Sequence, residues 1–216
     1  TYDNGEADKN TFRTKAEIEI PFEGVEYQKI YRFDDIADRL YMKMHNMTIR
    51  TEILREHQIR IDEHCYYVDT EYILYPIPYV KTICFVDAFV YYYRLGREGQ
   101  SVGLEKMQKN EQNYDKVLSS LLSFYQQLGE RLPCTDIKKR YIAGLIARVI
   151  AGKFKIMLSF PPSAEKKQQL RQYDRTLKEQ YRDIYDSNIN KAVSLLRKTQ
   201  YHTYYLANML VRRTYR

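Results

Sequence analysis

The sequence predicts an α+β protein that is predominantly helical, with a mixed segment over residues 1–103 and an all-helical unit over residues 104–216. Three observations predict it. Apolar residues recur at helical spacing almost without a break after Gly103. The stretches that alternate, or that are rich in β-branched and aromatic residues, lie before it. The charge also reverses between the halves. Residues 1–100 carry 13 Lys/Arg and 18 Asp/Glu, a net of −5, whereas residues 101–216 carry 22 and 10, a net of +12. A reversal of this size points to two units with different roles.

The first ten residues, TYDNGEADKN, are polar and read as a frayed end. Residues 15–20 alternate like a half-exposed strand that Pro21 stops. Asp34 stands where an N-cap belongs, ahead of Ile36, Ala37 and Leu40 at helical spacing. Residues 42–47 alternate again and predict a strand entering a helix over residues 50–57. Residues 59–62 pass into a loop. Residues 69–80 are helical in character, with Pro76 and Pro78 ending or kinking the helix near Tyr75. Residues 82–86 and 89–93 predict two further strands. Four short strands are too few to build a sheet with two covered faces, so a partner sheet outside this segment is expected.

Beyond Gly103 the stripe Leu104, Met107, Tyr114, Leu118, Leu121, Tyr125 and Leu128 marks one helix of about 27 residues, ended by Gly129 and Pro133. Ile137, Tyr141, Leu145, Val149 and Phe154 mark the next, closed by Pro161 and Pro162. Ser163 caps a third, striped by Leu170, Tyr173, Leu177, Tyr181 and Ile184. Shorter helices follow over residues 189–196 and 201–210. Such stripes pack on neighbours, which predicts a helical bundle.

Composition narrows the function. A hydrophobic fraction of 44% with 29% charged residues belongs to a folded chain rather than a disordered one. No run of 18 apolar residues and no charged-then-apolar leader is present, which argues against a membrane span or a signal peptide. Cys65, Cys84 and Cys134 are odd in number and widely spaced, as ordinary thiols of a reducing compartment would be. The expected location is cytoplasmic. Tyrosine is in excess, 22 against 8 Phe and no Trp. A ring with a polar tip suits half-buried surfaces, either a sugar-binding cleft or a wet interface between helices.

The stretch over residues 57–102, HQIRIDEHCYYVDTEYILYPIPYVKTICFVDAFVYYYRLGREGQSV, carries the chemistry. Together with the turn at Arg50-Thr-Glu-Ile-Leu54 it resembles the acceptor-side half of bacterial family 2 glycosyltransferases, which have the GT-A type of α/β domain. Arg50 to Leu54 stands at their "R-x-x-L" turn, and Ile59-Arg-Ile61 at their short apolar strand. Val68-Asp69-Thr-Glu-Tyr72 occupies their acidic motif. Phe85-Val-Asp87, then Val90-Tyr-Tyr-Tyr-Arg94, fit the final strands, and Gly99-Gln-Ser101 fits the following loop. The resemblance covers residues 38–103, about a third of the chain. It departs from the family where Val68 replaces the first carboxylate of the acidic pair, and where the second loop arginine shifts to Arg97. No Asp-x-Asp metal motif is present, nor the Gln-x-x-Arg-Trp of processive members.

The resemblance implies that the chain is the C-terminal part of an inverting, nucleotide-sugar-dependent transferase of cell-surface polysaccharide or glycoconjugate synthesis. Its partners would be a nucleotide sugar and a saccharide or lipid-linked acceptor. A divalent metal, Mn or Mg, is expected only in the intact enzyme, with no metal site and no activity in this portion. Asp69 would be the catalytic base; its other reading is a helix cap. Glu71, two residues on, points to a different side of the helix. Arg94, Arg97 and Ser101 would hold the donor diphosphate, because guanidinium forks match phosphate oxygens; otherwise they belong to a solvated loop. His45 and His64 lack ligand-spaced partners and read as ordinary histidines. Tyr91 to Tyr93 read as strand packing.

The helical unit carries Lys138-Lys-Arg140, Lys166-Lys167, Arg197-Lys198 and Arg212-Arg213. These are either solvated helix faces or a surface lying against anionic lipid at the inner face of a membrane. No nucleic-acid motif accompanies them. The rival to an enzyme is a non-catalytic, basic helical domain that binds a protein or an anionic membrane. Strands missing their partners also predict self-association.

Overall fold

In a computed structural model, the structure describes residues 22–88, residue 91 and residues 104–214. The chain is mostly helical with one small two-stranded sheet. Strand β1 (Ile30–Arg32) pairs antiparallel with β2 (Thr82–Cys84), Tyr31 opposite Ile83. Bonds from the Gln28 N–H to the Phe85 carbonyl (2.7 Å) and from the Phe33 N–H to the Lys81 carbonyl (3.0 Å) extend the pairing at both ends.

Helix α1 (Phe33–Ile36) follows β1 directly, so Asp34 lies in its first turn rather than at its cap. Residues 42–47, expected as a strand, hold a 3₁₀ turn over Met44–Asn46 instead. The Asn46 side-chain oxygen accepts the Lys43 N–H at 3.2 Å, and a local side-chain bond of this kind draws the backbone out of an extended ladder. Helix α2 (Thr51–Glu56) forms where predicted. Residues 59–61, matched to a short strand, are irregular, and Ile61 is exposed. Helix α3 (Asp69–Leu74) ends at Tyr75, with a 3₁₀ turn over Ile77–Tyr79, as the two prolines dictate. Of the expected strand over residues 89–93, four residues lie outside the described residues, as does the strand over residues 15–20.

The single helix expected after Gly103 is two, α4 (Leu104–Lys109) and α5 (Glu111–Gln127). Asn110 unwinds by one residue (φ −100°, ψ 20°), while its N–H still reaches the Lys106 carbonyl. Gly129 ends α5 at φ +88°, a left-handed position that glycine takes without cost. Helix α6 (Asp136–Ser159) is capped by Thr135, and α7 (Ala164–Gln180) by Ser163. The predicted stripe of the third helix breaks at Tyr181, where α8 (Arg182–Asp186) begins. Leu170, Leu177 and Ile184 nevertheless remain buried. Helices α9 (Lys191–Lys198) and α10 (Tyr204–Thr214) complete the chain.

Helix α6 is the spine. It touches α4, α5, α7, α8 and α10, and also the 3₁₀ turns at Ala37–Arg39 and Ile77–Tyr79. One core therefore runs through both segments, joining Phe33, Ile36, Leu74 and Ile77 to Leu121, Ile142, Ile146 and Leu170. Phe33 sets its ring edge-on to Tyr141 at 5.3 Å. Two of the basic residues read as surface charges are structural instead. Lys138 is buried and donates to the Pro78 carbonyl at 2.9 Å, tying α6 to the front segment. Arg197 forks onto Asp174 at 2.8 and 3.0 Å and reaches the Tyr185 carbonyl.

Candidate functional site

The loop over residues 57–68 delivers Asp69 to the start of α3. Three non-glycine residues in it, Gln58, His64 and Tyr67, have φ of 48°, 54° and 72°. L-residues adopt this region at a cost, so the surroundings must hold the loop in place. The holding groups are identifiable. The Asp62 N–H donates to Oε2 of Glu71 at 2.8 Å. Ser120 of α5 donates to Asp62 Oδ2 at 3.0 Å, and Lys116 donates to the Glu63 carbonyl at 3.3 Å. The Cys65 thiol reaches the Asn113 carbonyl at 3.5 Å. Helix α5 thus pins the loop from outside the front segment.

The two carboxylates of α3 have opposite environments. Asp69 is exposed in the first turn, where a negative charge is favoured. Glu71 is fully buried, and its Oε1 has no hydrogen-bond partner. Burial pushes the Glu71 carboxyl up to about 7, helped by the neighbouring Asp62 carboxylate and opposed by the Asp62 N–H and Lys116. The same burial, with Glu71 and Asp62 nearby, raises the Tyr75 phenol. Sequence reasoning overlooked the role of Glu71. The signal was present, since Glu71 stands three residues before Leu74, on one helical face with that core side chain.

The 3₁₀ turn that holds His45 touches α3, the helix that Asp69 opens. The His45 ring stacks on Tyr91 at a centroid distance of 5.2 Å. His45 lies within the electrostatic reach of Asp69, which favours its charged form, but burial and Lys43 prevail and lower its pKa. Tyr66, just before Asp69 in the chain, is also exposed. An exposed carboxylate at a helix start can accept a proton from a hydroxyl-bearing ligand. Arg94, Arg97 and Ser101 lie outside the described residues. Among the described residues, no three His, Cys, Asp or Glu side chains stand together as a metal-donor set.

No protein-family model, curated protein or solved structure matches this chain. The site therefore rests on its own geometry and on the order of its motifs. A separate cleft of about 230 Å³ is lined by Asp38, Arg140, Tyr141, Arg148 and Ile189, and by neither Asp69 nor Glu71.

Proposed function

We propose that this chain is the acceptor-side, C-terminal part of an inverting nucleotide-sugar glycosyltransferase, with Asp69 as its general base. The observation that carries the reading is the contrast between the carboxylates of α3. The one in the family-like acid position is exposed, at the end of a strained and well-anchored loop, while its neighbour is buried and structural. Asp69 takes the proton of an acceptor hydroxyl as that oxygen bonds to the anomeric carbon. The bond from that carbon to the donor diphosphate breaks, and its electron pair leaves with the diphosphate. Attack from the opposite face inverts the anomeric centre. Arg94, Arg97 and Ser101 are assigned to the departing diphosphate on the sequence pattern alone. A divalent metal would neutralise the same diphosphate, and the described residues supply it no donor set.

The test uses the polypeptide extended by the residues encoded upstream of Thr1, assayed for transfer from nucleotide sugars. Asp69→Asn keeps the shape of the side chain but removes the proton acceptor. Transfer should fall by about 10²–10⁴-fold, the usual worth of a positioned base, with donor affinity and melting temperature nearly unchanged. Near-normal transfer by Asp69→Asn would remove Asp69 from the mechanism. Residues 1–216 alone should turn over no nucleotide sugar and bind UDP only weakly. Sub-millimolar UDP affinity of this chain by calorimetry would mean that the donor site is not elsewhere.

A further inference from the structure

The last helix has two apolar faces and only one of them is covered. Tyr204 and Asn208 of α10 are buried against the end of α6. The Asn208 amide donates to the Leu158 and Phe160 carbonyls at 2.7 and 2.8 Å. The helix is thus fixed in rotation, and its outer face is defined. That face carries Tyr205, Leu206, Met209 and Leu210, each at least half exposed. Four large apolar side chains on the solvent side of an 11-residue helix are not explained by packing within the chain. Leu195 of the adjoining α9 is also half exposed.

The segment that carries this face has charge of one sign. Residues 187–216 contain six Lys/Arg and not one Asp or Glu. Arg197 is paired internally with Asp174. Lys191, Lys198 and Arg213 are exposed, and Arg212 is partly so. Helix α7 adds two lysines, with the Lys167 ammonium 5.8 Å from the Tyr205 ring centre and Lys166 over Phe160 at 5.2 Å. We infer that the outer face of α10 lies on an anionic lipid bilayer, its leucines and Met209 entering the acyl boundary while Lys167, Arg212 and Arg213 reach lipid phosphates. Long basic side chains suit that position, because their stems lie along apolar surface while their heads stay at the headgroups. Apolar contact with a mainly cationic surround, in which Glu165 of α7 is the acid next to Lys166, fits an anionic bilayer. A second copy of this chain would bring the same positive charge to the contact and repel it. The inference is independent of the glycosyltransferase reading.

Flotation of the full chain with vesicles tests it, comparing phosphatidylcholine alone with a mixture containing 30% phosphatidylglycerol. The chain should float with the anionic vesicles at low salt, and at least 10-fold less with the neutral ones. The double variant Leu206→Glu, Leu210→Glu should lose flotation with its circular dichroism and melting temperature retained, since both positions face solvent. Arg212→Ala with Arg213→Ala should weaken binding by roughly 20–30-fold, about 5-fold per charge near the surface. Arg131→Ala, in the turn at the opposite end of α6, should leave it unchanged. Equal binding to both vesicles, binding to neither, or full binding by the double glutamate variant would each overturn the proposal. So would a dimer in light scattering that the glutamate variant dissociates.

Discussion

The front segment and the helical unit reach ordered structure by different routes. In residues 104–214, buried apolar stripes on long helices hold the backbone, and the left-handed positions are confined to the turns at Gly129 and at Gln200 and Tyr201. Across residues 22–88 the elements are three to six residues long, and four non-glycine residues have positive φ. Helices this short do not stand alone. What fixes them comes from the other unit: Lys138 on the Pro78 carbonyl, Lys116 on the Glu63 carbonyl, Ser120 on Asp62, and Tyr141 against Phe33. The helical unit thus serves as a mould, against which a segment rich in loops can hold costly conformations near Asp69.

Phe33→Ala should disturb this mould most. Removing a fully buried ring at the contact with α6 should cost about 3–5 kcal/mol. Because the core is shared, calorimetry should show a single transition that moves down as a whole. An early transition that shifts while a later one stays put would make the halves independent units.

Gly152→Ala probes the mould itself. A methyl group there would collide with the Tyr114 hydroxyl, which donates to the Val149 carbonyl at 2.8 Å. Overpacking of this kind costs about 1–3 kcal/mol, read as a lower denaturant midpoint. Tyr114→Phe added to Gly152→Ala should recover part of the loss. If the double variant is simply the sum of the singles, the close approach of the two helices is not the cause.

Glu71→Gln sharpens the account of the loop through pH. A carboxyl whose pKa is raised from 4.5 to about 7 binds its proton more tightly in the folded chain. Its stabilising contribution is therefore complete below pH 4.5 and is lost as pH rises through about 7. At about 1.4 kcal/mol per unit, the difference reaches on the order of 3–4 kcal/mol. Glutamine does not titrate, so the stability gap between variant and native chain should move in the variant's favour between pH 5 and 8. Parallel pH profiles would dismiss Glu71 as the titrating group.

Lys116→Ala should have the smallest effect. Its ammonium is half exposed and 3.7 Å from Asp62, so the global cost should stay near 0.5–1 kcal/mol. Amide exchange over residues 62–68 should quicken more than exchange elsewhere. Uniform change across the chain would mean that the loop is not held locally.

The helical unit was legible in the sequence because its signals are periodic and redundant. Ser163 as a cap, Gly129 as a terminator and the stripe through Leu170, Leu177 and Ile184 each announce themselves. The breaks at Asn110 and Tyr181 did not: the apolar stripe runs on past Asn110 to Tyr114 and through Tyr181, and only the backbone angles mark the breaks. In the front segment Pro76 and Pro78 gave the end of α3 correctly. The alternation over residues 42–47 misled, since Asn46 closes a turn that hydrophobic pattern does not register. At the site, Asp69 and Glu71 were separated onto different sides of α3 by spacing alone. That Glu71 would hold the Asp62 N–H depended on a loop whose path no local pattern specifies.

The 24 residues of α6 give the molecule a fixed ruler. From Lys138, which grips the front segment, to Leu158, which grips α10, twenty residues rise about 30 Å. Losing or gaining one residue between those grips would change that length by only about 1.5 Å, but it would turn one end against the other by about 100°. Length variation among descendants of this sequence should therefore collect in the turns on either side of α6, while the helix itself tolerates substitution but not insertion.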